Sequence, residues 1–149
     1  LEIALACDLR FAGDGKFFMG LPEATLGLLP GNGGTQRLSR LIGAGPALEL
    51  MLTGRTVAPQ EAYKLGIINN VFPAESLLND SKAYALKMAT GPTKALGHIK
   101  RCVFEGIEKP LADGLTLERE LIAELFTSED AIEGLTAFVE KRKPEFKGK

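Results

Sequence analysis

Apolar positions recur at helical spacing through the second half of the chain. Leu96, Ile99 and Val103 form one stripe, Leu111, Leu115, Ile122 and Leu125 a second, and Ile132, Leu135 and Val139 a third. This i, i+3, i+4 recurrence predicts amphipathic helices, here over residues 75–89, 93–107, 111–126 and 131–141. Ser128 is placed to cap the last of them, with Glu129 and Asp130 complementing its positive end. Four helices whose apolar faces exceed what one another can cover need a further surface to pack on. The first part of the chain reads differently. Residues 1–7 are apolar apart from Glu2 and fit either a buried helix end or a buried strand. Residues 9–12 and 17–20 flank the turn cluster Gly13-Asp14-Gly15-Lys16, which predicts a strand–turn–strand unit. Thr35 is positioned to cap a helix that Gly43 stops, and Pro46 opens a helix over 47–52. A short helix over 59–65 ends at Gly66, and the β-branched, apolar run 67–72 predicts a strand.

Composition sharpens this division. Ten of the 17 glycines fall in residues 1–54, but only nine of the 37 charged residues do. The first third is therefore expected to be buried and turn-rich, and the remainder helical. With 45% hydrophobic and 25% charged residues in 149, the chain has ordinary globular usage, which excludes disorder of the highly charged type. A formal net charge of −1 leaves no general electrostatic footprint for nucleic acid or an anionic membrane. No apolar run is long enough to span a bilayer, and no secretory signal opens the chain. Cys7 and Cys102 make no disulfide framework, which favours a reducing compartment. Because Leu1 stands within an apolar run, a preceding segment is expected.

Three features carry candidate chemistry. Glu2 is a carboxylate inside Leu-Glu-Ile-Ala-Leu-Ala-Cys, where burial without a partner is costly; a surface position or pairing with an Arg is the ordinary alternative. Glu23 follows Pro22 and precedes an apolar stretch, where a plain helix-start carboxylate is the ordinary reading. Pro30-Gly31-Asn32-Gly33-Gly34-Thr35-Gln36-Arg37 combines three glycines with a helix start. It is either a tight structural turn or a cradle for an anion, and it lacks the Gly-Lys-Ser/Thr of a P-loop. His98, the single histidine, is expected at or near the surface of its helix, and no Cys-x-x-Cys or His-x-x-x-His pair suggests a metal site. Lys141, Arg142, Lys143 and Lys147 make the tail basic, which suits a solvated helix end or a phosphate-bearing ligand.

As a set these segments resemble the crotonase superfamily, and enoyl-CoA hydratase most of all. The resemblance runs through Glu-x-Ala-x-Ala-Cys-Asp (Glu2 to Asp8), Gly-Leu-Pro-Glu (Gly20 to Glu23) and Leu-Gly-Leu-Leu-Pro-Gly-Asn-Gly-Gly-Thr-Gln-Arg-Leu (Leu26 to Leu38). It continues in Leu-Thr-Gly-Arg (Leu52 to Arg55), Glu-Ala-Tyr-Lys-Leu-Gly (Glu61 to Gly66) and the run from Glu133 to Phe146. The match covers the whole chain in order and corresponds to the carboxy-terminal part of such a subunit.

The resemblance implies an α/β fold: residues 1–73 as the last turns of a ββα spiral core, and 74–149 as a helical trimerisation region. It places the two catalytic acids on Glu2 and Glu23, with Glu2 as base on a water and Glu23 as the acid that protonates the α-carbon of a trans-2-enoyl-CoA. Gly31 matches a glycine whose N–H helps hold that water, and Phe138 and Lys141 match positions that touch the CoA moiety. No cofactor is implied beyond the coenzyme A of the thioester substrate. The implied partners are an acyl-CoA and copies of the same chain, as a homotrimer or homohexamer, with no membrane or nucleic acid. The implied compartment is a bacterial cytoplasm or a mitochondrial matrix. An isomerase or branched-chain hydratase of the same fold is the alternative, as is a non-catalytic oligomerisation or RNA-binding piece. The segment from Asp8 to Glu23 is about one residue longer than the family pattern, around 15–19. The family's two oxyanion-hole N–H groups fall before Leu1, so these 149 residues alone are expected to be nearly inactive.

Overall fold

Beta structure is confined to two three-residue strands, β1 (Phe11–Gly13) and β2 (Asn70–Phe72), paired in parallel with Ala12 opposite Val71. Parallel strands need a crossover connection, and here the crossover carries three helices: α2 (Gly34–Ile42), α3 (Ala44–Thr53) and α4 (Pro59–Lys64). A single helical turn, α1 (Glu2–Leu5), precedes β1, so residues 1–7 resolve as helix rather than strand. The computed structural model describes all 149 residues and divides into two units, Leu1–Ser81 and Lys82–Lys149.

The first unit is built around Leu5, Ala12, Leu21, Leu38, Ala47, Leu50, Val57, Ala62 and Ile67, all nearly excluded from solvent. The expected strand–turn–strand over 9–20 does not form. Asp14 N–H donates to Phe72 O and Asp14 Oδ1 accepts Ala74 N–H, so the turn after β1 is tied to the end of β2. Residues 17–20 keep only one antiparallel bridge, Met19 to Val57. The run 67–72 shortens to β2, because Ile67 N–H and Ile68 N–H both turn back onto Ala62 O. Arg10 closes this corner, with Nε donating to Ile67 O at 2.8 Å and Nη1 to Cys7 O at 2.6 Å. Thr35 does not cap α2; Gly33 stands at that position with φ 98° and no side chain to offer.

From Leu77 onward the chain follows the predicted helices closely. α5 (Leu77–Ala89) leads into α6 (Thr93–Gly106), α7 (Leu111–Phe126) and α8 (Glu129–Glu140). Between α6 and α7, Gly106 lies against Gly114, so backbones approach where no side chain intervenes. His98 Nε2 and Glu124 Oε2 stand 3.0 Å apart across the same pair, with the imidazole largely buried. The apolar stripes are formed as predicted but stand open, with Ile99 58% and Leu135 62% exposed. Ser128 Oγ accepts Ala131 N–H, as its cap position required.

The basic tail is not a free helix end. Lys141 adopts φ 56° and reverses the chain. The tail then runs back along α8, where the buried Asp130 carboxylate accepts Lys147 N–H at 2.7 Å and Gly148 N–H at 2.8 Å. Glu133 takes both Arg142 Nη1 and Nη2, at 2.6 and 2.8 Å, and Glu145 N–H at 2.8 Å. The Arg142 guanidinium, and then the Glu145 N–H, hold the Glu133 carboxyl down to about 2 against the opposing effect of burial. A carboxyl whose folded value is depressed stabilises the docked tail fully above its unfolded value near 4.5. That contribution is lost as pH falls from there through about 2. In an NMR titration of carboxyl-labelled protein, Glu133 is expected to remain ionised at pH 4 and to titrate near 2. A midpoint at the ordinary glutamate value would show that the tail does not hold it.

Candidate active site

The first helical N–H groups of α2 have no partner within the helix. That of Gly34 finds one in Glu2, 32 residues upstream. Glu2 Oε1 accepts Asn32 N–H at 2.7 Å and Gly34 N–H at 2.8 Å, while Asn32 Nδ2 donates to Oε2 at 3.2 Å. The left-handed φ of Gly33 turns the chain so that the N–H groups on either side of it converge on one oxygen. Backbone concavities of this kind bind anions, and the helix dipole adds to the attraction. Burial acts to raise the Glu2 carboxyl, but the N–H groups of Gly34 and Asn32 and the Asn32 amide outweigh it, leaving the group below its ordinary value. The glycine-rich loop is thus an anion cradle whose anion is the protein's own.

Gly34 is the junction on which this depends. A methyl group there would stand 2.6 Å from Pro30 Cβ, 2.9 Å from Glu2 Oε1 and 2.9 Å from Leu21 Cδ1. Arg37 folds over Gly33 and donates from Nη1 to Asn32 O at 2.9 Å, fixing the peptide that carries the cradle.

Leu21, packed on Gly34, leads through Pro22 to Glu23, the first residue of a 3-10 turn, Glu23–Leu26. That turn is pinned from several sides. Thr25 N–H and Oγ1 both donate to Pro22 O, and Leu28 N–H donates to Glu23 O. Gly20 fits between Arg55 O and Thr56, and Gly54, at φ 65°, leaves no room for a methyl beside Thr25. Held this way, Glu23 keeps Oε2 shut off from solvent and without a hydrogen-bond donor. A buried carboxylate oxygen with no donor is uncommon, and each instance calls for a reason. The cradle of Glu2 and the approach to Glu23 therefore meet on one glycine, one carboxylate held by three hydrogen bonds and the other with an oxygen that has no donor.

The remaining candidates are placed as follows. Gly31 is exposed beside the cradle, and a methyl on it would meet only Leu29 O, at 3.8 Å. Phe138, on α8, is 83% exposed, and Lys141 is exposed at the reversal that ends α8; both belong to the second unit. Asn32, Gly34 and Arg37 were not singled out by sequence reasoning. The one available signal was Asn32, which alone between Gly31 and Gly34 has a side chain.

A family profile described as enoyl-CoA hydratase/isomerase matches residues 1–149. The chain is 43% identical over 145 residues to a probable enoyl-CoA hydratase of Mycobacterium tuberculosis, covering 97% of this chain and 56% of the relative. It is 40% identical over 144 residues to a short-chain-enoyl-CoA hydratase of Clostridium acetobutylicum, covering 97% of this chain and 55% of the relative. The crystal structure of an enoyl-CoA hydratase from Geobacillus kaustophilus superposes with a TM-score of 0.96 at 51% identity, over 99% of this chain and 56% of that one. The chain thus spans little more than half the length of the relatives it matches.

The junction at Gly34 can be tested by size alone. Gly34→Ala is expected to destabilise the intact protein by roughly 1–3 kcal/mol in urea unfolding, as overpacking does. Gly45→Ala, a helical position with open space around it, is expected to be neutral or to stabilise by up to about 1 kcal/mol. Equal stability of the two variants would refute the close packing at Gly34.

Proposed function

The chain belongs to the enoyl-CoA hydratase/isomerase family, and from that membership we propose that the protein carrying it is a hydro-lyase. It adds water across the double bond of a trans-2-enoyl-CoA to give a 3-hydroxyacyl-CoA, the chemistry of β-oxidation-type fatty acid metabolism. The observation that carries this reading is the buried, donorless Oε2 of Glu23, two residues from the Leu21 that packs on Gly34 together with the charged and cradled Glu2.

Hydration requires one proton to leave water and another to reach carbon. Glu2 is kept ionised by its three hydrogen bonds, so it serves as the base. Water oxygen bonds to the β-carbon as its proton passes to Glu2. The π electrons move toward the thioester carbonyl, and the α-carbon takes its proton from Glu23. The two carboxyl groups then exchange roles through solvent, restoring the starting state. Gly31 N–H is assigned to the same water. Charge that builds on the thioester oxygen needs fixed donors, and those we place in a segment preceding Leu1, which leaves residues 1–149 alone nearly inactive.

Phe138 and Lys141 we assign to the CoA moiety, whose phosphates suit the basic tail; no cofactor is needed beyond that CoA. Residues 1–73 would be the carboxy-terminal turns of a ββα spiral and 74–149 the oligomerisation region of a homotrimer or homohexamer. The open apolar stripes of α6, α7 and α8 support the latter. Both cysteines are free thiols and no helix is long and apolar enough to cross a membrane, features that suit a bacterial cytoplasm or a mitochondrial matrix.

The test follows the loss of conjugated-thioester absorbance with the intact protein. Glu2→Gln and Glu23→Gln are each expected to lower kcat by about 100-fold or more, the scale of a lost general acid or base. Turnover near wild type in either variant would overturn the assignment. A shifted double bond in place of a 3-hydroxyacyl product would make the protein an isomerase instead.

A further inference from the structure

The two oxygens of Glu2 are treated unequally. Oε1 accepts both backbone N–H groups and is filled, whereas Oε2 accepts only Asn32 Nδ2. A carboxylate oxygen has two acceptor directions, so the direction left open lies on Oε2. Asn32 thus touches the one atom of Glu2 that still has room for a water. Its amide must present the NH2 side, because the opposite orientation would set Oδ1 against a carboxylate oxygen.

Asn32 is itself held on three sides. Its N–H is on Oε1, its side chain on Oε2, and its carbonyl accepts Arg37 Nη1. The guanidinium lies where even a single carbon on Gly33 would collide with it. Capping α2 requires only the two backbone donors, which any residue but proline supplies at position 32. The side-chain bond is an addition to the helix cap, and the flanking glycines offer nothing of the kind.

We propose that Asn32 is a positioning residue for hydration: its side-chain amide takes one acceptor direction of Glu2 Oε2 and so sets where the other points. The proposal deepens, and rests on, the reading of Glu2 as the base. A donor on the reacting oxygen stabilises the ionised form and keeps it available at lower pH. It also fixes where the second lone pair points, and therefore where the attacking water sits. Loss of the amide frees Oε2 to rotate while the two backbone bonds on Oε1 survive, so α2 and the fold are retained.

Three proteins are compared, each as the intact chain: wild type, Asn32→Ala and the isosteric Asn32→Asp. Two quantities are measured on each: the NMR titration of carboxyl-labelled Glu2, and the acid limb of kcat/KM for hydration of a trans-2-enoyl-CoA. In Asn32→Ala the Glu2 midpoint is expected to rise by roughly one pH unit, the scale of one hydrogen bond to a charged group. The acid limb should rise with it and the plateau of kcat should fall. In Asn32→Asp two carboxylates share the site and titrate as a pair, so the limb should move further in the same direction. A purely structural role would alter unfolding without moving either titration. A Glu2 midpoint that is the same in all three proteins overturns the role given to Asn32. A midpoint that moves while the acid limb stays fixed removes Glu2 as the base, and the positioning role falls with it.

Discussion

An α-helix begins with amide protons that need an acceptor, and α2 takes its acceptor from a carboxylate far away in sequence. Much of the first unit is arranged around this contact. Gly33 adopts a left-handed φ so that two N–H groups reach one oxygen. Gly34 gives up its side chain because Pro30, Leu21 and Glu2 occupy the space. Arg37 reaches back from the first turn of α2 to hold the peptide between Asn32 and Gly33. One negative charge therefore serves two ends, closing a helix and staying ionised below the ordinary carboxylate value. These demands oppose each other: every donor that strengthens the cap makes the carboxylate a weaker proton acceptor. Concentrating both backbone donors on Oε1 reconciles them, because Oε2 keeps an open direction.

Glu23 presents the complementary arrangement. Its segment is pinned by Pro22, Thr25 and the glycines at 20 and 54, yet Oε2 is buried with no donor. Rigid surroundings combined with an unsatisfied polar atom are common at sites prepared for a ligand. The two carboxylates differ in what surrounds them, and the acid and base roles we propose for them rest on that difference.

Periodicity in the sequence was sufficient for the helices of the second unit and for the Ser128 cap, because both depend on residues within a few positions of one another. It failed where distant partners decide. Thr35 had the right chemistry for a cap, but α2 begins one residue earlier, at Gly34, whose N–H is held by Glu2, so Thr35 stands inside the helix. Residues 17–20 had strand-like composition, but the turn after β1 is drawn to the end of β2 by Asp14. The glycine-rich loop could be read as an anion cradle, while the identity of the anion could not, since nothing local links residue 2 to residue 34. The tail is legible as basic; its return along α8 depends on Asp130 and Glu133, whose partners lie 9 to 18 residues further along the chain. The apolar stripes show a related limit. Helical spacing of Ile99, Val103 and Leu135 reports that these faces are made for burial, and not which surface covers them.

The grip of α2 on Glu2 can be observed directly in the backbone amide protons of Asn32 and Gly34. Both are predicted to resonate downfield at neutral pH. They should move upfield together as the carboxylate is protonated, with a midpoint below the ordinary 4.5, and that pH dependence should vanish in Glu2→Gln. Amide shifts that stay constant as pH is lowered through the carboxylate range would contradict the account.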